Sequence, residues 1–324
     1  MADEGTAWTT QLSGDLVRTE RRMLTRTTLK LPLFLLGLIA TWAAPRAGAQ
    51  TITSPRGPGG AFDWQARYAS GGSADIAEGS RPLGPIRHFH TALEGSTTLA
   101  LGKDSAAIVG LGWRRFDFSG SIADVPDSLS SIALKLGYSR TLSPQWSLRA
   151  EIDPGIYSDF EDVGSDDFSA PFGLRAIYAS SRELQWAFAL FVDSRSSVPV
   201  IGGVGARWQF APKWTLLAFL PEPRVEYAAS ESLRIFAGAG MRGGTFRVAE
   251  DFGRRRGRAQ LDNQDLDFRE ITVGAGARWE ISRTLSAGVT LGWMLDRRFE
   301  YENRDLLLNG DGAPALSFFV GGSF

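Results

Sequence analysis

The only two histidines in 324 residues lie in Ile86-Arg87-His88-Phe89-His90-Thr91. Two positions apart, they share one face of an extended strand. There they could ligate a metal ion or, with Glu94 or Ser96, supply the base of a hydrolase-like site. Either chemistry needs a third ligand or an acid that orients the base. With no cysteine anywhere, thiolate zinc sites, disulfides and cysteine nucleophiles are excluded together. The expectation is a protein that is not an enzyme, with no cofactor.

A larger charged set falls on alternate positions. Arg114, Lys135, Arg149, Glu151, Asp153, Arg175, Arg207, Arg224, Glu226, Arg234, Arg242, Arg278 and Glu280 are nine basic and four acidic groups, placed opposite apolar neighbours. Arg149/Glu151, Arg224/Glu226 and Arg278/Glu280 have the spacing that puts both side chains on one strand face. Gathered inside a barrel, the arginine excess would line a water-filled pore with a weak preference for anions. The alternative is a web of ion pairs that stiffens a closed barrel, because confined charges need partners. Arg254-Arg255-Arg256-Gly257-Arg258, flanked by Glu250, Asp251, Asp262 and Asp265, is a third concentration of charge. It could clamp lipopolysaccharide phosphates, which suit guanidinium forks, or be a solvated loop held by its own carboxylates.

The elements that must position these groups have period two. Leu316, Phe318, Val320, Gly322 and Phe324 face one way, and Ser317, Gly321 and Ser323 the other. Ile271, Val273, Ala275, Ala277, Trp279 and Ile281 repeat the pattern, as do Leu285, Ala287, Val289, Leu291, Trp293 and Leu295. Runs of about ten residues can cross a bilayer as tilted strands. Short breaks recur near 102–104, 142–145, 181–183, 211–213, 230–232 and 282–284, with longer connections at 77–85, 121–127, 159–169, 251–267 and 303–312. Short turns at one rim and long loops at the other predict an all-β, up-and-down transmembrane barrel. Six short turns with both termini on one side give about 14 strands. Pro221-Glu222-Pro223 divides Trp214–Tyr227 into two short arms, so 12 strands also fit.

Aromatic placement agrees. Trp146, Trp186, Trp208, Trp214, Trp279 and the terminal Phe324 fall near the short-turn rim, as girdle aromatics do. A soluble barrel or sandwich burying the same residues is the competing reading, but the crowded arginines would then have to face outward. Upstream, Arg26 and Lys30 precede an apolar stretch from Leu31 to Ala44 and Ala47-Gly48-Ala49, the pattern of a secretory signal peptide cleaved after Ala49. Pro32, Gly37 and the short length oppose a single anchoring helix. The expected organisation is an upstream extension at 1–22 with Met23 as the start, a signal peptide at 23–49, a linker at 50–61 and the barrel at 62–324. The balance of 35 basic against 36 acidic residues argues against a nucleic-acid partner.

Ala237-Gly238-Ala239-Gly240-Met241-Arg242-Gly243-Gly244-Thr245-Phe246, Leu220-Pro221-Glu222-Pro223-Arg224-Val225-Glu226-Tyr227, Gly276-Ala277-Arg278-Trp279-Glu280-Ile281 and Gly292-Trp293-Met294-Leu295-Asp296-Arg297-Arg298-Phe299-Glu300-Tyr301 resemble an uncharacterised family of Gram-negative outer-membrane β-barrel proteins. The resemblance covers most of the mature chain through glycine and aromatic patterns. It implies fold and location, and brings no catalytic residues or substrate. The terminal aromatic strand resembles the signal read by the barrel assembly machinery. The partners expected are therefore that machinery, outer-membrane lipid and lipopolysaccharide. The leading function is a passive pore or small-solute channel. The alternatives are a closed structural or adhesive barrel acting through its extracellular loops, and a lipid-modifying enzyme built on His88 or His90.

Overall fold

A computed structural model describes residues 62–120 and 122–324, so the expected extension, signal peptide and linker lie outside the described residues. The alternating segments form β1 (Phe62–Glu78), β2 (Arg81–Ala100), β3 (Ser105–Ser119), β4 (Ser128–Thr141), β5 (Trp146–Ile152), β6 (Gly155–Ser158), β7 (Phe168–Ser169), β8 (Phe172–Ala179), β9 (Leu184–Val192), β10 (Val200–Ala211), β11 (Trp214–Ala218), β12 (Arg224–Ala228), β13 (Leu233–Arg247), β14 (Asp265–Glu280), β15 (Leu285–Tyr301), β16 (Leu306–Gly310) and β17 (Ala313–Ser323). Three pairs are single wall strands with a break: β5 with β6, β7 with β8, and β16 with β17. The first two break at Pro154 and Pro171, which have no N–H for the ladder. Seventeen segments therefore build fourteen wall strands.

Consecutive wall strands pair antiparallel, and the sheet closes where Asp63–Gly71 pairs with Ala315–Ser323. Phe62 and Phe324 complete the seam by exchanging backbone hydrogen bonds of 3.1 and 3.0 Å. The count is fourteen, not twelve: β11 and β12 are short, but Ala206–Ala211 pairs with the first and Arg234–Gly238 with the second. All six expected short turns lie at one rim. Two of the expected long connections do not exist as loops. Residues 77–85 are strand ends joined by a two-residue turn at Gly79-Ser80, and half of 303–312 is β16.

The reason is a change of face along the strands. On β3 the outward apolar residues Val109 and Leu111 give way above Trp113 to Arg115 and Asp117, while Phe116 and Phe118 turn inward. On β14, Leu266 and Phe268 face in above the outward Ile271 and Val273. A strand in lipid puts apolar atoms outside, and the same strand in water puts them inside. From Ile271 to Ile281, at about 3.4 Å per residue and a tilt of about 40°, the apolar outer belt stands roughly 25 Å tall. Trp146, Trp186, Trp208, Trp214, Trp279 and Phe324 are all exposed near its short-turn edge. Trp146 packs on Tyr178 at 4.9 Å and Trp214 on Tyr227 at 4.8 Å. The fold is that of an outer-membrane β-barrel.

Above the belt lies an ordinary hydrophobic core. Phe116, Phe118, Leu129, Phe246, Leu266, Phe268, Phe299 and Tyr301 are buried there against Val248, Phe252 and Leu261 from the connection between β13 and β14. That connection carries α1 (Phe252–Arg255) and a 3-10 turn at Ala259–Leu261. β13 leaves the outer wall to reach it: Met241, Gly243, Thr245 and Phe246 are buried on both of its faces, and Arg247 pairs in parallel with Ser158 of β6. The departure passes through Gly243, whose φ of +144° suits glycine alone and whose missing side chain would run into the carbonyl oxygen of Phe268. Gly243→Ala is expected to cost at least about 1–3 kcal/mol for the backbone alone. It should lower the heating temperature at which the folded band unfolds on a gel by several degrees, and an unchanged transition would contradict the account of this bend.

Candidate functional site

The barrel encloses a cavity of about 390 Å³ that runs from Arg283, Ser286 and Gly321 near the short-turn rim to Phe116, Tyr157 and Thr245 under the core. Of the charged positions expected inside, Arg114, Lys135, Arg149, Glu151, Asp153, Arg175, Arg242, Arg278 and Glu280 line it. Arg224, Glu226 and Arg234 line a smaller neighbouring cavity of about 90 Å³, which Arg242 and Arg278 also reach. Arg207 lines neither.

The cavity also holds charges that the expected set omits. Asp63, Arg67, Glu94, Asp193, Glu222 and Arg283 bring the larger cavity to eight basic and seven acidic side chains. The expected excess of nine to four is thus reduced to near balance. Alternation was the available signal for Arg67 and Glu94, which stand between the outward pairs Ala66/Tyr68 and Leu93/Gly95. Glu222 had no such signal, because it sits between two prolines in the connection from β11 to β12.

Most of these charges are paired. Glu222 accepts from Arg67 at 2.7 Å and from Arg224 at 3.2 Å, and Arg224 also donates to Glu226 at 2.7 Å. Lys135 donates to Glu94 at 2.9 Å, Arg278 lies 3.0 Å from Glu280, and Arg149 pairs with Glu151. Such pairs offset the desolvation of charge in a confined lumen. Arg114 is different. Its only side-chain hydrogen bond among the described residues goes to the Ser131 hydroxyl at 3.2 Å.

The two histidines part company. His88 Nε2 lies 2.7 Å from Glu270, and its Nδ1 meets Arg297, which is fully buried and also donates to the Ile86 carbonyl at 3.2 Å. Arginine can only donate, so Nδ1 accepts and Nε2 carries the proton given to Glu270. Gly71 makes the trio possible, since a side chain there would overlap His88. His90 is buried, stacks on Phe116 at 4.5 Å and lines the cavity with both ring nitrogens unpartnered. The structure therefore assembles neither a base oriented by an acid at His90 nor, among the described residues, a group of three or more potential metal ligands.

The arginine run closes the outer end. Arg258 donates to both oxygens of the buried Asp124 at 2.7 and 2.6 Å, and this bidentate bond raises its pKa above the ordinary guanidinium value. Arg256 binds the Val125 carbonyl and lies 3.1 Å from Asp127, Arg255 pairs with Glu161, and Arg254 lies 2.8 Å from Asp262. Asp159 accepts from the Ala249 amide at 2.9 Å. Burial nevertheless pushes its carboxyl above the usual carboxylate range. The loop is a latched lid over the apolar core, with every arginine of the run engaged.

In fold the chain is similar to the COG4313 outer membrane channel from Pseudomonas putida F1, with 14% identity, 84% of this chain and 97% of that one covered, and a TM-score of 0.46. It is similar also to a Pseudomonas aeruginosa FadL homologue, with 10% identity, 82% and 90% covered, and a TM-score of 0.43. The KdgM porin matches at 11% identity over 82% of this chain and 99% of that one, with a TM-score of 0.35. No curated protein sequence matches. Residues 109–308 match the family described as domain of unknown function DUF6268, and the chain belongs to that family.

Proposed function

We propose that the protein is an outer-membrane channel for small solutes, exported by a signal peptide cleaved after Ala49, whose outer mouth is shut by the 248–264 lid. The observation that carries this reading is a charged cavity reaching from the short-turn rim to a blind end beneath a lid held by ion pairs. A barrel meant only as an anchor has no need of a hydrated interior next to a separable cover. The near balance of lumen charge supports at most a weak anion preference. Lipid would surround the belt, lipopolysaccharide would meet the rim, and the assembly machinery would read the strand ending in Phe324. Catalysis has no part in this reading.

Conductance of the membrane-reconstituted protein in a planar bilayer tests it. Hydrogen bonds to charged groups contribute about 1.5–3 kcal/mol, so Asp124→Asn should raise the open probability at least tenfold over rare wild-type openings, with a reversal potential near zero or slightly anion-selective. The paired lumen charges favour a second reading, a closed structural barrel whose loops bind a partner. A variant lacking 252–261 that is folded, as shown by heat-modifiable gel migration, yet electrically silent would establish that second reading and remove the channel.

A further inference from the structure

We infer that the blind end of the lumen is a binding site for a small organic acid, with the carboxylate held by Arg114 and Arg242 beside His90 and the apolar part against Phe116 and Tyr157. The inference deepens the channel reading and rests on it only for its purpose, since binding at equilibrium needs no flux.

Strand register builds the cradle. Arg67, Ala92 and Arg114 lie side by side across β1, β2 and β3, because Arg67 pairs with Ala92 and Ala92 with Arg114. At about 4.8 Å per strand, the two arginine backbones stand roughly 10 Å apart with a methyl group between them. One step higher on the same face, His90 pairs with Phe116. Beyond Arg114 the row continues through Ser131 to Tyr157. Arg242 enters the same cavity from β13.

The polar groups there have capacity to spare. Both His90 nitrogens and Arg242 Nε are buried without a hydrogen-bond partner, and the nearest carboxylate to Arg242, Glu270, is 3.8 Å away and already bonded to His88. Arg114 donates to one hydroxyl out of the five N–H groups it carries. Buried donors left open mark a place where a partner belongs. A carboxylate is the acceptor that matches guanidinium forks, and Ala92, Ile108, Phe116, Ala133 and Met241 make the surrounding wall apolar. An inorganic anion would leave that wall unused, and a neutral apolar solute would leave the guanidinium groups unsatisfied.

The test is calorimetric titration of the full-length exported protein in lipid nanodiscs with benzoate, benzamide and inorganic phosphate. Benzoate should bind at submillimolar concentration, with benzamide and phosphate at least tenfold weaker. Arg114→Gln should weaken benzoate at least tenfold, and Ala92→Leu, which fills the floor of the cradle, should abolish binding. Arg115→Gln, one residue away on the outer face and paired there with Asp117, should leave it unchanged. Equal binding of benzamide or phosphate, undiminished affinity in both folded lumen variants, or no benzoate heat at millimolar concentration would overturn the site. Silent bilayers with intact benzoate binding would instead remove the channel and leave the site.

Discussion

Phe268→Ala is expected to detach the lid and expose the arginine run to trypsin, with cleavage between Arg254 and Arg258 accelerated tenfold or more. Phe268 is almost fully buried and touches Phe116 at 4.9 Å and Phe118 and Phe299 at 5.1 Å each. Truncating a buried phenylalanine costs about 3–5 kcal/mol. The loss falls on the upper core, where this ring cluster packs against Phe252 and Leu261 of the lid. Local opening governs proteolysis when reclosing is fast, so even half of that cost is enough for the predicted rate. Equal cleavage of variant and wild type would mean that the lid is held by its ion pairs alone. The double variant with Asp124→Asn would then show the larger effect.

The second large effect centres on Glu270. Its carboxylate is 2% exposed and faces His88 at 2.7 Å, Arg242 at 3.8 Å and Arg297 at 3.9 Å, and Arg297 itself has no exposed surface. Breaking a buried ion pair from one side costs about 3–5 kcal/mol, since the remaining charge keeps its desolvation penalty. Glu270→Gln should therefore leave little heat-modifiable folded protein. Replacing the whole group by apolar residues of similar volume, His88→Phe with Glu270→Leu and Arg297→Met, should restore it. Recovery in the triple variant separates the burial of unpaired charge from any specific need for these residues. Wild-type folding of the Glu270→Gln variant would refute the account of the cluster.

Much of this architecture was legible in the sequence, and the parts that were not share a physical cause. Period-two runs such as Ile271 to Ile281 report lipid on one side and water on the other, so strands, turns and girdle follow from them directly. Above the belt both environments change at once. The apolar positions then move from odd to even numbers, Val109 and Leu111 to Phe116 and Phe118, and a pattern reader takes the crossing for the end of a strand. The shift was visible at Trp113-Arg114-Arg115, where two arginines interrupt the alternation. The lid was hidden for another reason: Phe252 and Leu261 show no periodicity, and only the tertiary fold pairs Arg258 with Asp124, 134 residues away. In the candidate site, Arg114 and Arg242 were expected in the lumen from parity alone. That Arg114 lacks a carboxylate, while most lumen arginines have one, depends on register and could not be read from spacing.

The parallel contact between Arg247 and Ser158 has a topological consequence. It short-circuits the wall, so the strands before β7 and after β12 close into a ring of nine, while β7 to β12 supply five more only lower down. A ring of up-and-down strands with an odd number of members cannot be antiparallel throughout, and one parallel join is obligatory at its seam. The five remaining strands are then a side lobe, not needed to complete the upper circle. Loops 193–199 and 219–223 at the top of that lobe reach back to the circle, Arg195 to Asp265 of β14 and Glu222 to Arg67 of β1, so the lobe is fastened at its upper end to a ring it does not complete.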